Sequence, residues 1–267
     1  MITGFMQGRL VASESKKYIQ YFPDKNWLKE IELANFYKFK LMEWTANLEN
    51  IKKNPVYNKS LINKAKKVLK KNNLRVNSLT CDFFMQKPFF KTKQKKYYLN
   101  ILKKIIINCQ KVGIKYIIIP LVDNSSIKNA KQEKFLIEQM LKLSSDLKKD
   151  SKILFEIDYP PYKVLKFIKK FNSKFGINYD TGNSASLNYD FNDEKKYFRF
   201  VRNIHIKDRK KFGSTVRLGL GNWKYKKFFK FIKKNYSGNL ILQTARSKNE
   251  NDLTELLLNR NFIKRNL

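Results

Sequence analysis

The chain has 267 residues, with 57 Lys and Arg against 22 Asp and Glu, one His and two Cys, and its formal net charge is +35. A hydrophobic fraction of 42% is enough to build a substantial core, so the composition excludes a disordered basic tail. No apolar run approaches the roughly 20 residues of a membrane-spanning helix, and Gly4 and Arg9 interrupt the start of the chain where a signal peptide would be apolar. We therefore expect a cytoplasmic protein with no membrane partner.

The basic excess consists mainly of lysine, since nine of the 57 basic residues are Arg. Lysines occur along almost every predicted helix, including residues 64–71, 91–96 and 224–234. A nucleic-acid-binding surface would cluster its charge and favour Arg, whereas drift toward AT-rich codons spreads Lys over solvated helix faces. We favour the second interpretation and expect no specific nucleic-acid partner, although salt-sensitive binding to polyanions follows from the charge itself.

Short β-branched or aromatic runs alternate with longer amphipathic stretches along the whole chain, which is typical of a repeated β-then-α unit. The predicted strands are residues 2–7, 41–44, 76–79, 116–120, 153–157, 175–180, 203–207 and 240–243. The predicted helices are residues 27–36, 60–72, 95–111, 131–149, 161–171, 193–201, 225–235 and 251–265. Pro161 suits a first helical turn, and Gly113 and Gly176 suit helix ends. Eight such units in about 250 residues predict an α/β fold, a single (β/α)8 TIM barrel domain spanning residues 1–267.

The last four predicted strands each end in a side chain that can bind a metal ion. These side chains are Glu156, Asp180, the single His205 and Gln243. Because the carboxyl ends of the strands of a barrel meet at one rim, the sequence predicts a site for one divalent ion such as Mn²⁺ or Mg²⁺. Each residue also has a structural interpretation, such as a Lys partner for Glu156 or a turn after Asp180. Cys81 and Cys109 have no zinc-ribbon spacing, so the ligands must be oxygen and nitrogen.

Four segments resemble the sugar phosphate isomerase/epimerase family of the xylose isomerase-like TIM barrel superfamily. They are GFMQGRL at residues 4–10, YDTGNSASL at 179–187, HIKDR at 205–209 and LQTAR at 242–246. The resemblance implies a TIM barrel and a divalent metal ion (Mn²⁺, Mg²⁺ or Co²⁺) held by Glu156, Asp180, His205 and the residue at position 243. It also implies isomerase or epimerase activity on a sugar or sugar phosphate, and a homo-oligomer.

Position 243 departs from the epimerase pattern, in which a glutamate there both holds the ion and transfers a proton. An amide oxygen can coordinate an ion but cannot accept a proton, so Gln243 argues against a symmetric two-base epimerisation. A one-base isomerisation or a dehydration on the same site, with Glu156 as the base, remains open. So does a degenerate, non-catalytic barrel that binds a sugar or an anionic ligand.

Other polar residues near the strand ends are candidates for catalysis or substrate binding. Glu43 either orients a substrate hydroxyl, acts as the second base, or pairs with a lysine. Asp208 either holds the imidazole of His205, holds Arg209, or forms a surface ion pair. The predicted substrate-binding residues are Arg9, Asn183, Ser184, Lys207, Arg209, Arg217 and Arg246, with bracing of loops as the alternative for the arginines. We expect the backbone of residues 219–222 to present N–H groups to an anion.

Overall fold

Eight parallel strands close into a barrel in this computed structural model, which describes residues 1–13, 15, 18–247 and 251–267. A short antiparallel ribbon, β8 with β9, lies outside the barrel. The strands are β1 Ile2–Met6, β2 Leu41–Thr45, β3 Arg75–Thr80, β4 Tyr116–Leu121, β5 Lys152–Ile157, β6 Phe175–Asp180, β7 Val201–Ile206, β8 Asp208–Arg209, β9 Thr215–Val216 and β10 Asn239–Leu242. The predicted (β/α)8 architecture is confirmed.

The barrel follows chain order and closes where β10 pairs with β1, so that Ile2 lies opposite Asn239. The register of β6 with β7 sets Asp180 opposite His205 at the carboxyl ends of the two strands. This backbone pairing makes Asp180 and His205, two of the predicted metal ligands, direct neighbours on adjacent strands.

The described part of the chain contains ten α-helices. They are α1 Trp27–Phe36, α2 Ile62–Lys71, α3 Asp82–Gln86, α4 Lys95–Val112, α5 Ala130–Leu143, α6 Pro161–Ile168, α7 Thr181–Leu187, α8 Phe191–Glu194, α9 Tyr225–Asn235 and α10 Asp252–Asn266. None of them combines the length and the apolar character that a membrane crossing requires.

Predicted and observed helices differ most around β6 and β7. The helix predicted at residues 193–201 is the short α8 followed by a 3-10 segment over Lys195–Phe200, and Val201 already belongs to β7. Val201 is β-branched and buried, as a strand between two layers requires. Two helices, α3 and α7, were not predicted because each is a short turn directly after a strand.

Helix ends follow local chemistry at two of the three predicted positions. Gly113 ends α4 with φ +103°, a left-handed conformation that glycine adopts without strain. Pro161 begins α6, where its missing N–H costs nothing. The prediction for Gly176 is wrong, because it lies within β6, where an added Cβ would approach the Phe200 carbonyl oxygen to 2.9 Å.

Lysines on the helices lie on the solvent side. In α2 the buried positions are Ile62, Ala65 and Leu69, and the lysines between them are exposed. The buried stripe follows helical periodicity and faces the barrel, so the lysines occupy the outer face. This distribution agrees with a solvated-face origin of the charge.

Candidate metal centre and cavity

Three of the predicted metal ligands converge at the carboxyl end of the barrel. Glu156 lies near the end of β5, Asp180 ends β6 and His205 lies near the end of β7. All three are buried, and one ligand atom from each lies within 4.8 Å of the others. The parallel strands bring together side chains that the sequence separates by 24 and 25 residues.

His205 is held between carboxylates on both sides of its ring. Its Nδ1 lies 3.0 Å from Glu156 Oε2 and 4.0 Å from Asp180 Oδ2, and its Nε2 lies 2.7 Å from Glu43 Oε1. Burial opposes a charge here, but Glu43, and after it Glu156, raise the pKa of His205 to about 10. The two Nδ1 distances show that this edge of the ring faces the carboxylates of Glu156 and Asp180.

Glu43 is fully buried, and both of its carboxylate oxygens are engaged. Besides the contact with His205, it accepts hydrogen bonds from Ser78 Oγ and Thr80 Oγ1, both at 2.6 Å, and from Asn203 Nδ2 at 2.9 Å. Burial acts to raise its pKa, but His205 and these donors hold the pKa of Glu43 below its usual range. A carboxylate with four partners is suited to orienting the imidazole, as carboxylates behind metal-binding histidines do.

Glu156 is positioned by two asparagines. Its Oε2 accepts a hydrogen bond from Asn178 at 3.0 Å and its Oε1 accepts one from Asn183 at 3.1 Å. Asn178 in turn accepts from Asn203 at 2.8 Å, so amides on β6 and β7 connect Glu156 with Glu43. This network fixes the carboxylate while leaving it at the wall of the cavity.

Asp180 serves two roles at the start of α7. Its Oδ1 accepts the backbone N–H of Asn183 at 2.8 Å as the helix cap, and its Oδ2 lies 3.0 Å from Lys207 Nζ. Burial acts to raise its pKa, but Lys207, followed by His205, lowers it. Gly182 makes this contact possible, since an added Cβ would meet the Lys207 side chain at 2.6 Å.

A cavity of about 420 Å³ opens above this cluster at the carboxyl face of the barrel. That volume lies within the range of about 300–1,000 Å³ usual for small-molecule sites. The cavity is lined by Tyr18, Ile19, Gln20, Thr80, Asp82, Met85, Gln86, Pro120, Val122, Asp123, Glu156, Asn183, Lys207, Arg209, Ser214, Thr215, Gln243 and Thr244. Of the residues predicted from sequence, Glu156, Asn183, Lys207, Arg209 and Gln243 are thus at its wall.

Gln243 lines the cavity and carries a side-chain acceptor without a partner among the described residues. Its Oε1 is buried and has no hydrogen-bond partner among the described residues. The two carboxylates and the imidazole of the cluster are themselves ligand types that suit a divalent cation. Glu156, Asp180 and His205 therefore fit one ion, with the charged ligands on β5 and β6 and the imidazole on β7.

Three of the four predicted arginines brace loops instead of lining the cavity. Arg9 donates to the carbonyl of Ile19 at 3.0 Å and to Gln20 Oε1 at 2.8 Å. Arg246 donates to the carbonyl oxygens of Gly8 and Ile19 and pairs with Asp252. Arg217 pairs with Glu255 on α10.

Arg209 lies at the cavity wall, donating to the Gly213 carbonyl at 3.0 Å and to Asn183 Oδ1 at 3.4 Å. Ser184, by contrast, donates to Glu194 Oε2 at 2.7 Å and is not a lining residue of the cavity.

Asp208 is a loop anchor in this structure. Its fully buried carboxylate accepts the backbone N–H groups of Gly219 at 3.0 Å, Gly221 at 2.9 Å and Trp223 at 3.0 Å. The N–H groups of Gly219 and Gly221, within the anion site predicted at residues 219–222, thus bind a carboxylate of the chain itself. These contacts place Asp208 with the loop and not with the imidazole of His205.

Sequence reasoning assigned no role to Asp82 and Gln86 of α3. Asp82, Met85 and Gln86 of this short helix line the cavity, and Asp82 is buried. Burial, and after it Glu156, raise the pKa of Asp82 to about 8. The signal was available, because Asp82 follows β3 as Asp180 ends β6.

The fold and the cluster define a TIM-barrel protein with a carboxylate and histidine site at the carboxyl face. The chain belongs to the xylose isomerase-like TIM barrel family, whose model matches residues 31–265. The resemblance read from the motifs is confirmed. No curated protein sequence matches the chain.

Solved structures share this fold at low sequence identity. D-allulose 3-epimerase from Methylomonas sp. has a TM-score of 0.74 and 17% identity, covering 100% of this chain and 98% of that one. The IolI protein with a bound zinc atom has a TM-score of 0.73 and 14% identity, covering 98% and 96%. The 3-keto-D-glucoside 4-epimerase YcjR from E. coli has a TM-score of 0.68 and 14% identity, covering 98% and 99%.

Proposed function

We propose that this chain is a divalent-metal-dependent isomerase or epimerase of a sugar or sugar phosphate, with Glu156 as the base. The observation that carries the proposal is the convergence of Glu156, Asp180 and His205 within 4.8 Å, with Glu156 at the wall of a cavity of about 420 Å³. The sugar epimerases among the structures that share the fold support it.

Glu156 is suited to removing a proton from a substrate carbon. It is the carboxylate of the cluster that lines the cavity, and two asparagine amides hold its oxygens in place. A bound divalent ion would polarise the substrate carbonyl and so acidify the neighbouring C–H. Glu43 fixes the imidazole of His205 from behind, which presets one ligand of that ion.

Lys207, Arg209 and Asn183 are the residues from the predicted substrate-binding set that line the cavity. They would contact substrate hydroxyl or phosphate groups from the side of β6 and β7. Arg9 and Arg246 act one layer further out by fixing the segment that contains Ile19 and Gln20, which forms another part of the wall.

A second candidate is a sugar-binding barrel that uses no metal ion. Two observations favour it: the Lys207 ammonium lies 3.0 Å from Asp180, and Gln243 supplies an uncharged oxygen at the fourth ligand position. In that protein the ammonium would compensate the buried carboxylate permanently.

Calorimetry on metal-stripped protein with Mn²⁺, Mg²⁺ and Co²⁺ separates the two candidates. An enzyme should bind at least one ion, Asp180→Asn and His205→Ala should each weaken binding at least tenfold, and Gln243→Glu should strengthen it. Asp146→Asn is the control, because Asp146 pairs with Lys103 at 3.3 Å just before β5, away from the carboxyl face.

Activity is then tested by deuterium exchange from D₂O into the carbon next to the carbonyl of D-allulose, D-fructose, D-tagatose and L-ribulose. The proposal predicts exchange by the wild type and none by Glu156→Gln. No ion binding together with no exchange would refute it in favour of the metal-free binder.

A further inference from the structure

Asp82 is a buried acid at the substrate cavity whose presence the cluster does not explain. It is 4% exposed, it lines the cavity that Glu156, Lys207 and Gln243 also line, and its Oδ2 has no hydrogen-bond partner among the described residues. An unpartnered polar atom in a protein interior costs stability, so such a group at a cavity wall points to a ligand that completes it.

The position of Asp82 matters because the cavity has one residue that can act as a base, on β5, and lacks a second one after β10. Glu156 on β5 can remove a proton from carbon, but Gln243 after β10 cannot exchange protons. Asp82, directly after β3, is a second carboxyl group at the wall of the same cavity. Its neighbours include Glu156 and Glu43, whose charges disfavour its ionisation, and His205 and Lys207, whose charges favour it.

We propose that Asp82 is the second proton carrier of the site and that it moves a proton between two substrate oxygens. This assignment rests on the proposed function and makes the reaction an aldose–ketose isomerisation. The acid form of the carboxyl group, favoured by burial, is the form that can donate the proton.

The steps balance without any co-reactant. Glu156 takes the proton from the carbon beside the carbonyl, the C–H electron pair forms a carbon–carbon double bond, and the carbonyl oxygen takes the proton of Asp82. The product of this half is an enediol, a carboxylate at Asp82 and a carboxylic acid at Glu156. Asp82 then takes the proton from the neighbouring hydroxyl as a carbonyl forms there, and Glu156 returns its proton to the former carbonyl carbon.

The test compares Asp82→Asn, Asp82→Glu and Asp146→Asn with wild type, using D-fructose, D-tagatose, D-allulose and L-ribulose in D₂O. Each reaction is run with the metal ion present and is stopped by adding a chelator. NMR then measures the conversion of each ketose to its aldoses and the deuterium at the reacting carbon. We expect Asp82→Asn to lower conversion at least about 100-fold, the usual contribution of a positioned acid or base. Asp82→Glu should restore part of the rate and Asp146→Asn should retain it.

Folding of the key variant is checked by thermal unfolding. Because Asp82 Oδ2 has no hydrogen-bond partner in the described part of the chain, Asp82→Asn breaks no observed hydrogen bond of that atom and should unfold at the same temperature as wild type or higher.

The failures are distinguishable. Wild type that converts ketoses while Asp82→Asn does so equally fast overturns the role of Asp82 and leaves the proposed function standing. Wild type that forms only epimeric ketoses and no aldose also overturns it. Wild type that neither converts nor exchanges any of the four sugars overturns the proposed function and this assignment with it.

Discussion

Replacing Asp208 with alanine tests whether this residue holds a loop or takes part in chemistry. In the structure its carboxylate accepts three backbone N–H groups, from Gly219, Gly221 and Trp223, at 2.9–3.0 Å. These donors lie between β9 and α9, and the carboxylate is fully buried. Removing it leaves three N–H groups without their acceptor.

The size of the effect follows from these contacts. A hydrogen bond to a charged group contributes about 1.5–3 kcal/mol, and the three share one carboxylate, so they do not add fully. Asp208→Ala also removes the cost of burying a charge, which brings the expected net loss to about 3 kcal/mol. With roughly 2 °C per kcal/mol for a domain of this size, the unfolding midpoint should fall by about 6 °C.

Thermal unfolding measures the role of Asp208 in holding the loop, and metal calorimetry on the same preparations measures its role at the candidate metal site. Asp190→Ala is the matched control, because Asp190 accepts one exposed N–H, from Asn192 at 2.9 Å, and its loss should cost about 1 kcal/mol. Gly221→Ala should reproduce the loss seen for Asp208→Ala, since an added Cβ would lie 2.0 Å from Asp208 Oδ1.

An Asp208→Ala variant with an unchanged unfolding midpoint and no metal binding would refute the loop assignment. That result would return Asp208 to the role of a residue acting on His205.

Two further predictions concern the cluster and the buried Glu30 of α1. Gly182→Ala should displace the Lys207 side chain from Asp180 and lower isomerase turnover about tenfold, while the helix content stays unchanged. Steady-state kinetics measures the turnover and circular dichroism the helix content. Unaltered turnover would mean that the lysine contact has no role in the reaction. Burial raises the pKa of Glu30 from 4.5 to about 7, so the folded protein keeps a proton that the unfolded chain has released, and stability is lost as pH rises through this window. Glu30→Gln removes that loss. In urea titrations, the unfolding free energy of the variant minus that of wild type should therefore rise by about 3 kcal/mol between pH 4.5 and 7. A difference in unfolding free energy that does not change with pH would contradict the argument.

Much of the fold could be predicted because it depends on patterns repeated within short windows. Alternation of apolar strands with amphipathic helices predicted all eight barrel strands, and α1 and α9 have the predicted bounds. The predictions failed where a helix is too short for periodicity to register, as in α3, α7 and α8.

The place of the candidate site was also accessible from sequence. Parallel strands in a barrel end at a common rim, so an acid, an acid and a histidine near the ends of β5, β6 and β7 had to lie near one another once the barrel was inferred. The same rule applied to β3 would have indicated Asp82.

The sequence by itself determined the barrel, its strand order and the rim at which Glu156, Asp180 and His205 meet, because these follow from periodicity and from parallel connection. Only the tertiary structure decided which partner each charged group takes. Arg9 contacts the carbonyl of Thr244, 235 residues away, and Glu43 contacts His205, 162 residues away. Such pairs are chosen by burial and by competition among donors that only the closed barrel brings together, and no local pattern records the outcome.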